Sequence, residues 1–357
     1  NLKDLEGLLG PDHPHTLQAR NNLASAYRAA GRLDEAITLH EQNLKDLEGL
    51  LGPDHPHTLQ ARNNLASAYR AAGRLDEAIT LHEQNLKDLE GLLGPDHPHT
   101  LHARNNLASA YQDAGRLDEA ITLHEQNLKD LEGLLGPDHP HTLHARNNLA
   151  SAYQDAGRLD EAITLHEQNL KDLEGLLGPD HPHTLQARNN LASAYRAAGR
   201  LDEAITLYEQ TLTDRTRILG PHHPDTLTSR NNLASAYRDA GRLDEAIALH
   251  EQNLIDLTHI LGPHHPNTLT SRNNLASAYR DAGRLDEAIA LHEQNLIDLT
   301  HILGPHHPNT LTSRNNLAKA YRAAGRFEDA DKLFETPSGS EDEQDGTEED
   351  PAQEAGD

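Results

Sequence analysis

The sequence predicts an all-α protein built as a solenoid of repeated helix pairs. Hydrophobic residues make up 36% of the 357 residues and aromatic residues only 3%. Leucine and alanine, which favour helices over strands, dominate the apolar set. The run RNNLASAYRAAGRLDEAI at residues 20–37 recurs, with small changes, in eight copies. Glycines divide each copy into two helical segments, and paired helices that recur at such a period stack into a solenoid.

The repeating unit is 42 residues long, and eight copies occupy residues 1–336. They begin at residues 1, 43, 85, 127, 169, 211, 253 and 295. The first five copies are nearly identical, whereas the last three replace NLKDLEGLLGPDHP by versions such as NLIDLTHILGPHHP. The chain is therefore expected to be one tandem array, followed by a tail at residues 337–357.

Each copy carries the start and stop signals of two helices. Helix A of the first copy is predicted from about Pro14 to Ala30, because proline suits a first helical position and His13 can cap it. Gly31 favours the left-handed conformation that ends a helix. Helix B is predicted from about Asp34 to Leu51, with acidic residues in its first turn and a Gly-Pro pair after it. The short linkers make the two helices antiparallel neighbours.

Charge and hydropathy exclude several classes of partner. The net charge is −26, and residues 337–357 hold nine acidic and no basic residues, which leaves −17 on the repeats. An acidic body repels phosphate backbones, so we expect no nucleic-acid partner. No apolar run approaches the ~18 residues of a membrane span and no signal peptide is visible, so we expect a cytoplasmic protein without a membrane partner. The acidic tail is expected to be disordered.

A polar arc on helix A is the candidate binding surface. A helical wheel separates the apolar side of helix A from Asn21, Asn22, Arg28 and their neighbours. A carboxamide can pair with both the N–H and the C=O of an extended peptide, and arginine favours an acidic one. The predicted peptide-binding residues are Asn22, Asn64, Asn106, Asn148, Asn190, Asn232, Asn274 and Asn316, with Arg28, Arg70, Arg196, Arg238, Arg280 and Arg322. Alternatively, the paired asparagines bond within the array and hold adjacent repeats in register.

The 26 histidines raise a metal-binding alternative. His13 and His15 lie two apart at the start of helix A, on either side of Pro14, but two ligands do not complete a tetrahedral site. We therefore expect a helix cap and no bound metal. His40 lies on the apolar stripe of helix B, which runs to Leu51, and its counterpart in the fifth copy is Tyr208. A ring packed in the core is the better reading, and protonation of up to six such imidazoles predicts lower stability near pH 5.

The spacing of Leu23, Ala24, Tyr27, Gly31 and Ala36 resembles that of the tetratricopeptide repeat. The usual period of that family is about 34 residues. The longer unit, with LGPDHP before helix A and NNLA within it, closely resembles kinesin light chain repeats and is similar to C-terminal arrays of bacterial signalling NTPases. The resemblance implies a right-handed superhelix whose helices A line a concave groove that binds extended peptides or a partner's helix. Two positions depart from the family pattern, since Arg20 and His40 stand where apolar or aromatic residues are usual.

Function follows from these patterns as an expectation. The sequence contains no Gly-rich phosphate loop, no cysteine and no serine with a paired base, so we predict no catalytic residue and no cofactor. We expect a protein- or peptide-binding scaffold, the recognition or sensor segment of a larger signalling protein. The alternative is structural, because near-identical units could stack end to end into homo-oligomers.

Overall fold

A computed structural model describes residues 2–334, and within that range the chain forms seventeen α-helices and no strand. In chain order they are α1 (Leu2–Leu9), α2 (Pro14–Ala29), α3 (Leu33–Leu51), α4 (Pro56–Ala71), α5 (Leu75–Leu93), α6 (Pro98–Asp113), α7 (Leu117–Leu135), α8 (Pro140–Asp155), α9 (Leu159–Leu177), α10 (Pro182–Ala197), α11 (Leu201–Leu219), α12 (Pro224–Asp239), α13 (Leu243–Leu261), α14 (Pro266–Asp281), α15 (Leu285–Leu303), α16 (Pro308–Ala323) and α17 (Phe327–Lys332). Even numbers are helices A and odd numbers are helices B. The prediction of an all-α array of tandem helix pairs is confirmed. The expected disordered tail lies outside the described residues.

The observed helix ends agree with the predicted ones to within about one residue, because the local signals act as expected. The Nδ1 atom of His13 accepts a hydrogen bond from the backbone N–H of His15 at 3.2 Å, so His13 caps α2 as predicted. Gly31 has a φ of 75° and lies in the short loop between the two helices. Gly52 after α3 has φ 87° and ψ 165°, a conformation that is open almost only to glycine.

The chain divides into two compact units, residues 1–236 and residues 237–357. In the first unit, each apolar core is shared by two consecutive repeats. Leu17 and Ile37 of the first copy pack in one cluster with Leu65 and Tyr69 of the second. Since a single helix pair cannot bury this surface alone, stacking of neighbours creates the core.

In the second unit the same arrangement recurs. Ile289 of α15 packs in one buried cluster with Leu317 and Tyr321 of α16 and with Ala330 of α17. A second cluster joins Ile247 of α13 to Tyr279 of α14. The second unit is thus also held together by contacts between consecutive repeats.

A buried arginine ties three helices together in each of the first repeats. Arg20 of α2 is 4% exposed, and it donates to Asp46 of α3 at 2.5 Å and to Glu6 of α1 at 3.3 Å. Arg62 repeats the contact with Asp88 at 2.5 Å. The position that departs from the family pattern therefore carries a charge that links successive helices B. A buried charge needs such partners, because an unpaired one is costly.

Candidate functional site

The paired asparagines connect successive helices A. The Nδ2 atom of Asn64 on α4 donates to Oδ1 of Asn21 on α2 at 2.8 Å. Equivalent bonds join residues 106 and 63, 148 and 105, 190 and 147, and 232 and 189, at 2.7 to 3.0 Å. In the second unit, Asn316 donates to Asn273 at 2.9 Å. These bonds are the contacts that the register alternative requires, so the Asn22-type amides of these copies each give one N–H to the neighbouring repeat.

The first two amides of the series show which polar atoms the array uses. Oδ1 of Asn22 accepts from Nε2 of Gln18 at 2.9 Å, and Oδ1 of Asn64 accepts from Nε2 of Gln60 at 2.9 Å. Since a carboxamide has two N–H donors, Asn64 keeps one N–H after bonding to Asn21. Asn22 is exposed, whereas its counterparts in the later copies are half-buried. The Asn22-type residues thus lie on successive helices A and are exposed or half-buried; their role in peptide binding stays a prediction.

Most of the predicted arginines are balanced by acidic side chains. Arg70 forms an ion pair with Asp113 of the next copy. In the second unit, Arg280 pairs with Asp281 at 2.7 Å, and Arg322 approaches Asp331 at 3.3 Å. Arg28 is exposed and makes no ion pair within residues 2–334. The arginine row therefore carries less free positive charge than the sequence suggested, which weakens the expectation of an acidic peptide.

Four cavities recur along the first unit, each lined by two consecutive helices A and the helix B between them. Slot 1 is formed by α2, α3 and α4, slot 2 by α4, α5 and α6, slot 3 by α6, α7 and α8, and slot 4 by α8, α9 and α10. Their volumes are about 640, 640, 560 and 620 Å³ respectively. Asn21 or its counterpart lines every slot, so the slots open beside the asparagine ladder. Volumes of this size suit the side chains of a bound peptide.

The apolar walls of the slots come from the ends of the helices B. Leu50 and Leu51 line slot 1 and are 49% and 44% exposed. Counterpart leucines line slots 2 to 4 and are equally exposed. Leu51, which the sequence analysis placed at the end of the apolar stripe of helix B, is therefore exposed rather than part of the buried core. Two consecutive leucines at the end of a helix point about 100° apart, so both are not expected to pack fully into the same core. This pair of leucines is the sequence signal that could have identified the apolar wall of the slot.

Polar groups complete each slot. Asn43 lines slot 1 and is 4% exposed, and its Oδ1 atom has no hydrogen-bond partner within the described residues. Asp12 lies at the same slot and is exposed. His102 lines slots 2 and 3 and His144 lines slots 3 and 4. Burial lowers the pKa of both imidazoles, so they are neutral at pH 7 and serve as hydrogen-bonding groups.

Residues 2–334 were compared with the requirements of a metal site and of a membrane-spanning helix. That range contains no group of three or more histidine, cysteine, aspartate or glutamate side chains placed to hold a metal ion. His13 is engaged as a cap, and its ring centroid lies 5.2 Å from that of His15. Within the same range, every helix is too short or too polar to cross a bilayer.

Comparison with solved structures finds helical repeat proteins of several kinds. A protein of Podosopora anserina with kinesin light chain nearly identical TPR-like repeats is 35% identical, with a TM-score of 0.52, over 58% of this chain and 98% of its own. A signal transduction ATPase with numerous domains from Pyrococcus horikoshii, with a tetratricopeptide repeat sensor, is 13% identical, with a TM-score of 0.55, over 93% of this chain and 50% of its own. The quorum sensor NprR from B. thuringiensis is 16% identical, with a TM-score of 0.60, over 88% of this chain and 85% of its own.

Sequence comparison gives the family directly. No curated protein matches the chain. The profile of the tetratricopeptide repeat matches residues 2–48, 15–87, 58–132, 100–168, 144–215, 187–254, 231–296 and 271–336. The matches overlap from one copy to the next and cover almost all of the described residues. The chain therefore belongs to the tetratricopeptide repeat family.

Proposed function

We propose that the chain is a non-catalytic scaffold that binds an extended peptide across its helices A, as the recognition segment of a larger signalling protein. The observation that carries the proposal is the recurrence, on the same helices, of partly free amides and open slots. The amides can bond to peptide backbone, and the slots have room for the peptide's side chains.

The relatives support this choice. The tetratricopeptide repeats of the Pyrococcus horikoshii ATPase are described as a sensor, and NprR is described as a quorum sensor. Both are distant in sequence, so they support a recognition role for this chain by analogy of fold. The contacting residues that we propose are the Asn22-type amides and Arg28, which is exposed and makes no ion pair within residues 2–334.

A selected peptide tests the proposal. Peptides that bind the full chain are first isolated from a random library, and their Kd is then measured for a variant with alanine at all eight Asn22-type positions. Loss of two or more backbone hydrogen bonds should weaken binding by roughly tenfold or more. The matched control carries alanine at Thr38, Thr80, Thr122, Thr164 and Thr206, exposed positions of helix B where later copies have Ala248 and Ala290. This control should keep the original Kd.

A second variant separates binding from folding, because the Asn22-type amides also link repeats. Asn22→Ala changes an exposed amide whose N–H groups bond to no other asparagine within residues 2–334. Circular dichroism should show an unchanged fold, and Kd should rise about threefold for a peptide that reaches the first copy. The proposal is contradicted if no library peptide binds, or if the asparagine variants bind the selected peptides as tightly as the threonine control does.

A further inference from the structure

By the same pattern, a fifth slot would lie between α10, α11 and α12. An arginine side chain of the protein itself occupies this fifth position. Arg215 of α11 stands where the helices B of the first four copies have Leu47 and its counterparts, and it is only 4% exposed. Its guanidinium donates to Oγ of Ser229 at 2.9 Å, to Oε1 of Gln186 at 3.1 Å and to the backbone oxygen of Asp225 at 3.2 Å. These three residues are the counterparts of Ala61, Gln18 and His57, all of which line slot 1.

A second arginine, Arg217, lies at the rim of the fifth position. Nη2 of Arg217 on α11 lies 2.6 Å from Oδ1 of Asp180, the counterpart of Asp12. In α3, α5, α7 and α9, the position of Arg217 is occupied by Gly49, Gly91, Gly133 and Gly175. A Cβ atom built on any of these glycines meets no atom within 4 Å. Glycine inside a helix is unfavourable, and packing within the chain gives no reason for it here.

Slots 1 to 4 differ from the fifth position in two acceptors, a buried asparagine oxygen and a rim carboxylate that no arginine of the chain pairs with in residues 2–334. The Oδ1 atoms of Asn43, Asn85, Asn127 and Asn169 are buried and have no hydrogen-bond partner within the described residues. In the fifth position the counterpart is Thr211, whose hydroxyl donates to the carbonyl of Leu207 at 2.7 Å. The carboxylates of Asp12, Asp54, Asp96 and Asp138 line the slots and make no ion pair in residues 2–334.

We infer that slots 1 to 4 are binding sites for the arginine side chains of a partner peptide. The exposed leucines contact the aliphatic part of each arginine, and the buried asparagine oxygen and the rim carboxylate accept from its guanidinium. This inference rests on the proposed function and names its ligand as a basic segment rather than an acidic one. The negative charge of the repeats favours such a partner.

The arrangement of the slots sets the spacing of those arginines. Consecutive helices A are in hydrogen-bond contact, so slots recur at about one interhelical distance, roughly 10 Å. An extended peptide covers that distance in about three residues. The matching ligand is therefore an extended segment with arginine at about every third position.

Synthetic peptides test the ligand chemistry on the full chain. The probe is a peptide with four arginines, each separated by two small neutral residues, and its partner carries citrulline, which is neutral and of equal shape, at the same positions. Isothermal titration at constant salt should give a Kd at least about tenfold lower for the arginine peptide. Replacement of the four rim aspartates by asparagine should remove most of that difference. These aspartates are exposed and unpaired, so the substitution leaves the fold intact.

Two further variants exchange features between the copies. The closing variant gives slot 1, where Gln18 is already present, the other residues of the fifth position through Leu47→Arg, Gly49→Arg, Ala61→Ser and Asn43→Thr. The opening variant makes the reverse change through Arg215→Leu, Arg217→Gly, Ser229→Ala and Thr211→Asn. With a five-arginine peptide, closing should weaken binding and opening should tighten it, each by about threefold or more. Each variant copies a set of residues that another repeat of the native chain already uses. We therefore expect at least one of the two variants to fold.

The outcomes separate this inference from the proposed function. If library peptides bind through the asparagines but citrulline replaces arginine without loss, the arginine assignment is overturned and the proposed function stands. The same conclusion follows if the opening and closing variants bind alike. If no peptide of any composition binds, both are overturned. A loss of affinity on citrulline substitution, together with opposite effects of the two exchanges, supports the arginine sites.

Discussion

At the scale of single residues, six buried histidines make stability depend on pH. They are His40, His82, His124, His166, His250 and His292, and all are at most 2% exposed. Burial lowers the pKa of each imidazole to about 4. Both ring nitrogens of His124 lack a hydrogen-bond partner within residues 2–334. The unfolded chain, with ordinary histidine pKa values near 6.5, therefore binds more protons than the folded chain below neutral pH.

The pH prediction follows from that difference. Stability should be full above pH 7, should fall as the pH decreases below about 6.5, and should continue to fall until the folded-state pKa near 4 is passed. At pH 5 each histidine should cost about 1–2 kcal/mol. The check is the melting temperature at pH 7.5 and at pH 5. The matched control has tyrosine at all six positions, as the fifth copy has Tyr208, which is 2% exposed. Equal losses of melting temperature in the two proteins would contradict the assignment to these histidines.

Single residues also show which features can be predicted from the local sequence and which cannot. The cap at His13 was predictable, because it depends on a proline one position later in the chain. The burial of Arg20 was not, because its partners Glu6 and Asp46 lie on two different helices B. The buried oxygen of Asn43 was missed for the same reason, since only packing shows that no donor reaches it. Contacts between distant positions require the tertiary structure.

At the scale of helices, two kinds of glycine have opposite roles. Gly49 lies inside α3, where a Cβ would meet nothing within 4 Å. Gly52 follows the same helix with a φ of 87°, which a side chain adopts only with strain. Helix ends could therefore be located from the sequence, because the Gly-Pro signal reflects local conformation. The open surface around Gly49 could not be predicted, because the sequence pattern of one helix does not show which part of its surface the neighbouring helices leave exposed.

Alanine substitutions should separate the two roles. Alanine at Gly49, Gly91, Gly133 and Gly175 should stabilise the chain by about 0.5–1 kcal/mol per site, since alanine is the better residue inside a helix. Alanine at Gly52 should destabilise it by about 1 kcal/mol or more, because of its positive φ. Urea unfolding of the variants measures both effects. Destabilisation by the four helical substitutions would show that those glycines pack against something within the chain.

At the scale of the whole molecule, repetition makes some features predictable and hides others. The asparagine bonds between copies were foreseen as an alternative, because both partners lie in the repeated unit. The ion pairs that balance the arginine row were not, because Asp113 replaces an alanine only in some copies. The slots arise where three helices meet, and the helix-A pattern alone does not indicate them. Self-association through the ends of the array stays a prediction.

The central claim is that the helices A form the peptide-binding surface, and the structure of the chain bound to a library-selected peptide tests it most directly. The account predicts an extended peptide that crosses the Asn22-type amides of the first unit and inserts side chains into the slots between α2 and α10. A peptide bound instead to the outer surfaces of the helices B, without contact to these amides or slots, would contradict it.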